Sequence, residues 1–171
     1  MCGFIGKFSN EKINQESIFQ ANKHTICRGP DQLRHHEGST RDSVYSLIFN
    51  RLSILDLTDN ASQPMVDEFG NILMFNGEVY NHRELRSYLE NKSIQFKSSH
   101  SDTEVILHGI RVLGIDFLNK IIGQFAIFYL NKTKGVIFLA RDRLGQKPLF
   151  YSKTDNKFTV SSNLKSLVKL N

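Results

Sequence analysis

The chain has 171 residues, 40% hydrophobic and 23% charged, which suits one domain with a core of its own. A net charge of +5 and a pI near 9.2 invite a nucleic-acid reading, but acidic residues interrupt the basic ones throughout and no block of like charge forms. Two cysteines are too few for a disulfide framework, and no signal-peptide pattern or membrane-length apolar run occurs, so the chain reads as soluble and cytoplasmic, without nucleic-acid or membrane partners.

Residues 2–8 (CGFIGKF) read as a strand beginning at the N-terminus, and 14–24 as a helix with Ile18, Phe19 and Ala21 as its apolar positions. The runs 44–50 (VYSLIFN) and 72–76 (ILMFN) are short, aromatic or β-branched, and end in turn residues, which predicts strands. A helix is expected over 82–91, with Leu85, Tyr88 and Leu89 at helical spacing. Another starts at Ser101, an N-cap whose capping box Glu104 would complete. The runs 123–131 and 135–140 are joined by a KTK turn and read as a hairpin buried on both faces. Strands at 149–152 and 158–161 and a helix at 164–170 close the chain. Strand runs at both ends with helices between predict an α+β architecture with antiparallel sheets.

Cys2 directly follows the initiator methionine, which is removed when the next side chain is small. Removal leaves a thiol beside a free α-amine, a nucleophile with its own general base. The plainer reading is a small buried hydrophobe at a strand start. Asn76-Gly77 is either a hairpin turn or an oxyanion hole built from the Asn76 amide and the Gly77 N–H. Arg51 is either a solvated strand-end charge or a clamp for a substrate carboxylate. Asp102 is a first-turn helix acid that would equally hold a substrate ammonium. Taken together, these groups describe a pocket for a free α-amino acid with a reactive side-chain carbonyl. His24, Cys27, His35 and His36 match no familiar zinc spacing, so no metal is expected. No glycine-rich nucleotide loop is present.

The ordered motifs MCGFIG, RGPD (28–31), RLSILDL with QPM (51–65), FNGEVYN, SDTEVI and RDRLGQKPLFY (141–151) resemble the N-terminal glutaminase domain of glutamine-hydrolysing asparagine synthetases, over essentially the whole chain. That family is a class II glutamine amidotransferase and an N-terminal-nucleophile (Ntn) hydrolase. The resemblance implies a four-layer αββα sandwich, two antiparallel sheets between helices. It also implies Cys2 as nucleophile, Asn76 and Gly77 as oxyanion hole, and Arg51 on the glutamine carboxylate. Asp102 and Glu78 would hold the α-amino end, with Leu52, Ser53, Ile54 and Leu55 lining the pocket. The implied reaction is hydrolysis of glutamine through a Cys2 thioester, with ammonia passed to an ATP-dependent synthetase domain or partner that amidates aspartate. An alternative sends the ammonia to another acceptor, such as a carboxylated sugar, and a further one is a glutamine-binding module without turnover. This domain would need no cofactor; ATP and magnesium would belong to the synthetase part, whose SGG-x-DS-type loop is absent here. The chain departs from the family at Asn163, where an acidic residue is usual.

Overall fold

A computed structural model describes residues 2–171; Met1, and with it the expected removal of that residue, lies outside the described residues. The elements in chain order are β1 (Gly3–Ser9), α1 (Gln15–Asn22), β2 (Gln32–Ser39), β3 (Val44–Arg51), β4 (Met65–Val66), β5 (Ile72–Val79), α2 (His82–Glu90), α3 (Asp102–Leu113), β6 (Gly123–Asn131), β7 (Val136–Arg141), β8 (Phe150–Lys153), β9 (Lys157–Ser161) and α4 (Leu164–Leu170), with short 3-10 turns between some of them.

The strands form two antiparallel sheets, one in the order β2-β3-β1-β9-β8 and the other β4-β5-β6-β7. Alternation along each central strand explains the layering. Phe4 and Phe8 of β1, Leu47 and Phe49 of β3, Ile72 and Met74 of β5 and Phe128 and Leu130 of β6 meet in one core between the sheets. The residues of opposite parity face helices. Ile5 and Ile48 pack with Ile18 of α1 and Leu170 of α4, while Leu73, Phe75 and Ile127 pack with Leu85 and Leu89 of α2 and Val105 and Ile106 of α3. The result is helix, sheet, sheet, helix: the expected αββα sandwich.

Several sequence expectations are corrected. β2 was not foreseen, because QLRHHEGS is a polar, largely exposed edge strand without apolar alternation. Asn76-Gly77 is no hairpin turn. Both residues lie inside β5, opposite Ala126 and Phe125, and the strand runs three residues beyond the predicted end. The hairpin of β6 and β7 forms, but only β6 is buried on both faces; β7 is an edge strand and half-exposed. Ser101 does cap α3, its hydroxyl accepting the Glu104 N–H at 3.4 Å. Glu104 does not complete the box. Its carboxylate accepts instead from the N–H groups of Lys97 (2.7 Å) and Ser98 (2.8 Å), and from the Ser98 hydroxyl.

Candidate functional site

Four apolar rows facing the middle of the sandwich end, on one side of the molecule, in a residue able to do chemistry. The β1 row of Phe8 and Phe4 reaches Cys2, and the β3 row of Leu47 and Phe49 reaches Arg51. Ile72 and Met74 of β5 lead to Asn76, and Phe128 and Ala126 of β6 lead to Gln124. All four terminal residues line one cavity of about 260 Å³, together with Gly77, Glu78, Asp102 and Lys147. Period-two alternation therefore gathers the polar ends of four strands at one site.

Cys2 sits at the start of β1 with its sulfur 3.4 Å from the N–H of Leu52, which donates to it. Its carbonyl accepts from Nε of Arg28 at 3.1 Å, so the RGPD segment holds the backbone of Cys2 in place. Burial pushes the Cys2 thiol up, offset in part by the Leu52 N–H and the nearby Arg51 charge. A thiol held in that state needs a base to give up its proton.

Asn76 is 1% exposed, and among the described residues neither its amide nitrogen nor its amide oxygen has a hydrogen-bond partner. A buried, unpaired side-chain amide costs stability unless something else fills its demand. Here it opens into the cavity that Cys2 shares. Gly77 beside it tolerates no side chain, since a Cβ would lie 2.1 Å from the carbonyl oxygen of Gln124 on the paired strand. The backbone at 77 therefore stays close to β6.

Gln63, in the QPM segment, fixes this stretch. Its Oε1 accepts the Phe75 N–H at 2.6 Å, and its Nε2 donates to the Phe75 carbonyl at 3.2 Å and to the Thr103 hydroxyl at 3.2 Å. One side chain thus locks the residue before Asn76 to the residue after Asp102.

Arg51 is buried, not a solvated strand-end charge. Its Nη1 donates to the Thr58 carbonyl at 3.1 Å, and its Nη2 donates to the carbonyls of Leu55 (3.3 Å) and Asp56. These bonds tie the guanidinium to the 52–58 loop, at the wall of the cavity. Asp102, also buried, accepts the Val79 N–H at 3.2 Å through Oδ2. Burial pushes its carboxyl up to about 6, with Glu78 adding to the rise against the lowering effect of the Val79 bond.

Of the residues expected at the site, Cys2, Arg51, Leu52, Ile54, Leu55, Asn76, Gly77, Glu78 and Asp102 line the cavity and Ser53 does not. The Ser53 backbone N–H donates to Asp31 at 2.7 Å. Residue-by-residue reasoning missed Arg28, Gln63, Gln124 and Lys147, although RGPD, QPM and the QKPL stretch stood among the motifs. The histidines set aside as metal ligands make other contacts: His35 Nε2 lies 2.7 Å from the Ser46 hydroxyl, and His36 stacks on Tyr45. Among the described residues no group of three His, Cys, Asp or Glu is placed to hold a metal.

A family model described as "Glutamine amidotransferase domain" matches residues 1–171. The chain belongs to the glutamine amidotransferase family. The domain is 45% identical over 173 residues to asparagine synthetase [glutamine-hydrolyzing] 2 of Bacillus subtilis, a match covering 98% of this chain and 22% of that protein. It is 38% identical to asparagine synthetase 1 of the same organism (98% and 27%). A putative asparagine synthetase of Methanocaldococcus jannaschii is 35% identical (98% and 35%). The amidotransferase domain thus spans about a quarter to a third of the length of these relatives. Among solved structures, B. subtilis glutamine phosphoribosylpyrophosphate amidotransferase, complexed with ADP and GMP, superposes with a TM-score of 0.75 at 18% identity, over 99% of this chain and 43% of that one. That likeness shows the shared Ntn-hydrolase fold.

Proposed function

We propose that the domain hydrolyses the side-chain amide of L-glutamine and delivers the ammonia to an ATP-dependent synthetase that amidates aspartate. The observation that carries this reading is the unpaired amide of Asn76, buried in the cavity that holds the Cys2 sulfur. With Met1 removed, the α-amine of Cys2 takes the thiol proton and the thiolate attacks the amide carbon of glutamine. The oxyanion that forms is held by Nδ2 of Asn76 and the N–H of Gly77, donors fixed before the charge appears. The α-ammonium returns the proton to the leaving nitrogen, ammonia departs, and a γ-glutamyl thioester remains on Cys2. Water, deprotonated by the same amine, cleaves the thioester and releases glutamate.

The substrate's own charges set its pose. Arg51 takes the α-carboxylate, while Asp102 and Glu78 take the α-ammonium. Leu52, Ile54 and Leu55 close over the aliphatic part. A working thiol suits a reducing, cytoplasmic setting, and Cys2 and Cys27 are both free; among the described residues no helix is long and apolar enough to cross a membrane. The synthetase partner and aspartate as the final acceptor are supported by the names of the relatives, of which this domain covers the smaller part. ATP and magnesium would act in that partner, with no cofactor in the glutaminase step.

The reading is tested by ammonia release from L-glutamine together with N-terminal mass analysis. Cys2→Ala should abolish release with the fold intact, and active protein should lack Met1. Undiminished release from Cys2→Ala would exclude Cys2 as the nucleophile.

A further inference from the structure

The loop after β3, residues 52–58, carries exposed Ile54 and Leu57 yet fully buries the charged residue between them. Asp56 is 1% exposed and adopts a positive φ of 51°, a conformation that Asp and Asn tolerate better than most residues. All of its polar groups are used. Oδ1 accepts from the N–H (3.1 Å) and hydroxyl (2.6 Å) of Thr58, and Oδ2 accepts from the N–H (3.0 Å) and hydroxyl (3.4 Å) of Ser99. Its own N–H donates to Nε2 of His100 at 3.0 Å, and its carbonyl accepts from the Arg51 guanidinium.

One proton arrangement satisfies this set. Because His100 Nε2 accepts from Asp56, its Nδ1–H donates to the Ser99 hydroxyl 2.5 Å away, and that hydroxyl donates onward to Asp56 Oδ2. The ring closes on itself and joins two separate elements. On one side it holds the loop whose carbonyls orient Arg51. On the other it holds residues 99 and 100, which lead directly into Asp102 at the start of α3. None of Asp56, Ser99 and His100 lines the cavity.

We infer that Asp56 is a positioning residue: by tying the Arg51 loop to the entry of α3, it sets the separation of Arg51 and Asp102 and so makes the site selective for a free α-amino acid. The inference rests on the glutamine reading above. The carboxylate and ammonium of an amino acid flank a single carbon, so the two protein charges must keep a fixed spacing to hold both. A displacement of about 1 Å is enough to cost a site of this kind up to ~10²-fold. Asp56 also keeps its own charge readily: burial works against ionisation, but the bonds from Thr58, Ser99 and His100 outweigh it and lower the carboxyl from its usual range.

The test uses Asp56→Asn, which keeps a side chain suited to the positive φ but turns an N–H toward Thr58 or Ser99, and His100→Ala, an exposed residue whose loss leaves the core untouched. Steady-state hydrolysis is measured with L-glutamine and with 4-carbamoylbutanoate, which lacks the α-amino group. Capture of Cys2 by iodoacetamide reports the state of the nucleophile. Both variants are expected to raise KM for glutamine about tenfold or more, with kcat changed by less than about threefold. The preference for glutamine over 4-carbamoylbutanoate should shrink, and Cys2 capture should stay unchanged. A KM within about twofold of the unaltered domain's in His100→Ala or in folded Asp56→Asn overturns the inference, as does a loss in kcat at constant KM or a parallel slowing of Cys2 capture. If Asp56→Asn does not fold, His100→Ala decides alone. An unaltered, processed domain that releases no ammonia from glutamine overturns the glutaminase reading itself, a result separate from any change between variants.

Discussion

The backbone N–H of Leu52 points at the sulfur of Cys2 across 3.4 Å. The loop that leaves β3 is thereby coupled to the first residue before β1, and the Cys2 thiol is held by a neutral donor in a partly buried place. Burial raises the thiol, and the Leu52 bond and Arg51 only partly offset it. In the ligand-free domain, alkylation of Cys2 by iodoacetamide should be slow at neutral pH and still climbing above about pH 9. Mass spectrometry resolved by peptide separates it from exposed Cys27. A rate already level at neutral pH would contradict a raised thiol.

The proposed oxyanion role of Asn76 makes a prediction about rate. Asn76→Ala removes an amide that makes no hydrogen bond among the described residues. Turnover of glutamine should fall by about 10²–10³-fold, while the unfolding free energy should change by no more than about 1 kcal/mol, because no folded-state bond is lost. Denaturant titration beside kcat checks both. A large stability loss with kcat preserved would assign Asn76 a structural role instead.

Gly77→Ala should act in the opposite order. The added methyl would meet the Gln124 carbonyl at 2.1 Å and the Phe125 Cα at 2.8 Å, so β5 and β6 must separate where they pair. The expected cost is about 1–3 kcal/mol, together with loss of activity. Thermal unfolding measures it, and an unchanged midpoint would show that the strands adjust freely.

Asp102 links binding to pH. Its carboxyl is pushed up to about 6 by burial, and only the ionised form attracts a substrate ammonium. KM for glutamine should therefore rise as pH falls through about 6. The effect on stability has the opposite sign. Between about 4 and 6 the folded domain keeps a proton that the unfolded chain has lost, so this residue's contribution is full at low pH and disappears as pH rises through about 6. At pH 7 the buried charge opposes folding by on the order of 3 kcal/mol. Asp102→Asn should thus abolish tight glutamine binding while leaving the midpoint at pH 7 equal or higher; a fall in the midpoint would contradict it.

Glu104, two residues further along α3, behaves in reverse. Burial would raise it, but bonds from His108, Ser98 and Lys97 overcome that and lower it to about 2. Its contribution is present above about 4.5 and drains away as pH falls toward 2. Glu104→Gln should cost about 1–3 kcal/mol at pH 7, since the donors of residues 97 and 98 lose a charged acceptor. A variant as stable as the parent at pH 7 would refute this.

Much of the layering was legible because alternation is a local property. VYSLIFN and ILMFN each show two apolar faces, and only a sandwich with helices outside buries both. QLRHHEGS was illegible for the converse reason: β2 is an edge strand held by its pairing with β3, and pairing leaves no apolar period in the strand that is paired. Asn-Gly left two readings open, and the structure removes the hairpin turn. Its turn preference is a local bias of the backbone, and the ladder with β6 overrides it over residues 72–79.

The sequence by itself determined the family and named the candidate residues that the cavity gathers, because those follow from residue type and the order of motifs. Only the tertiary structure decided that four apolar rows end together around one cavity, that Ser53 does not line it, and that Asp56 bridges Arg51 to the start of α3. These are distances between residues some 20 to 120 positions apart in the chain, set by how two sheets stack and where a loop is pinned.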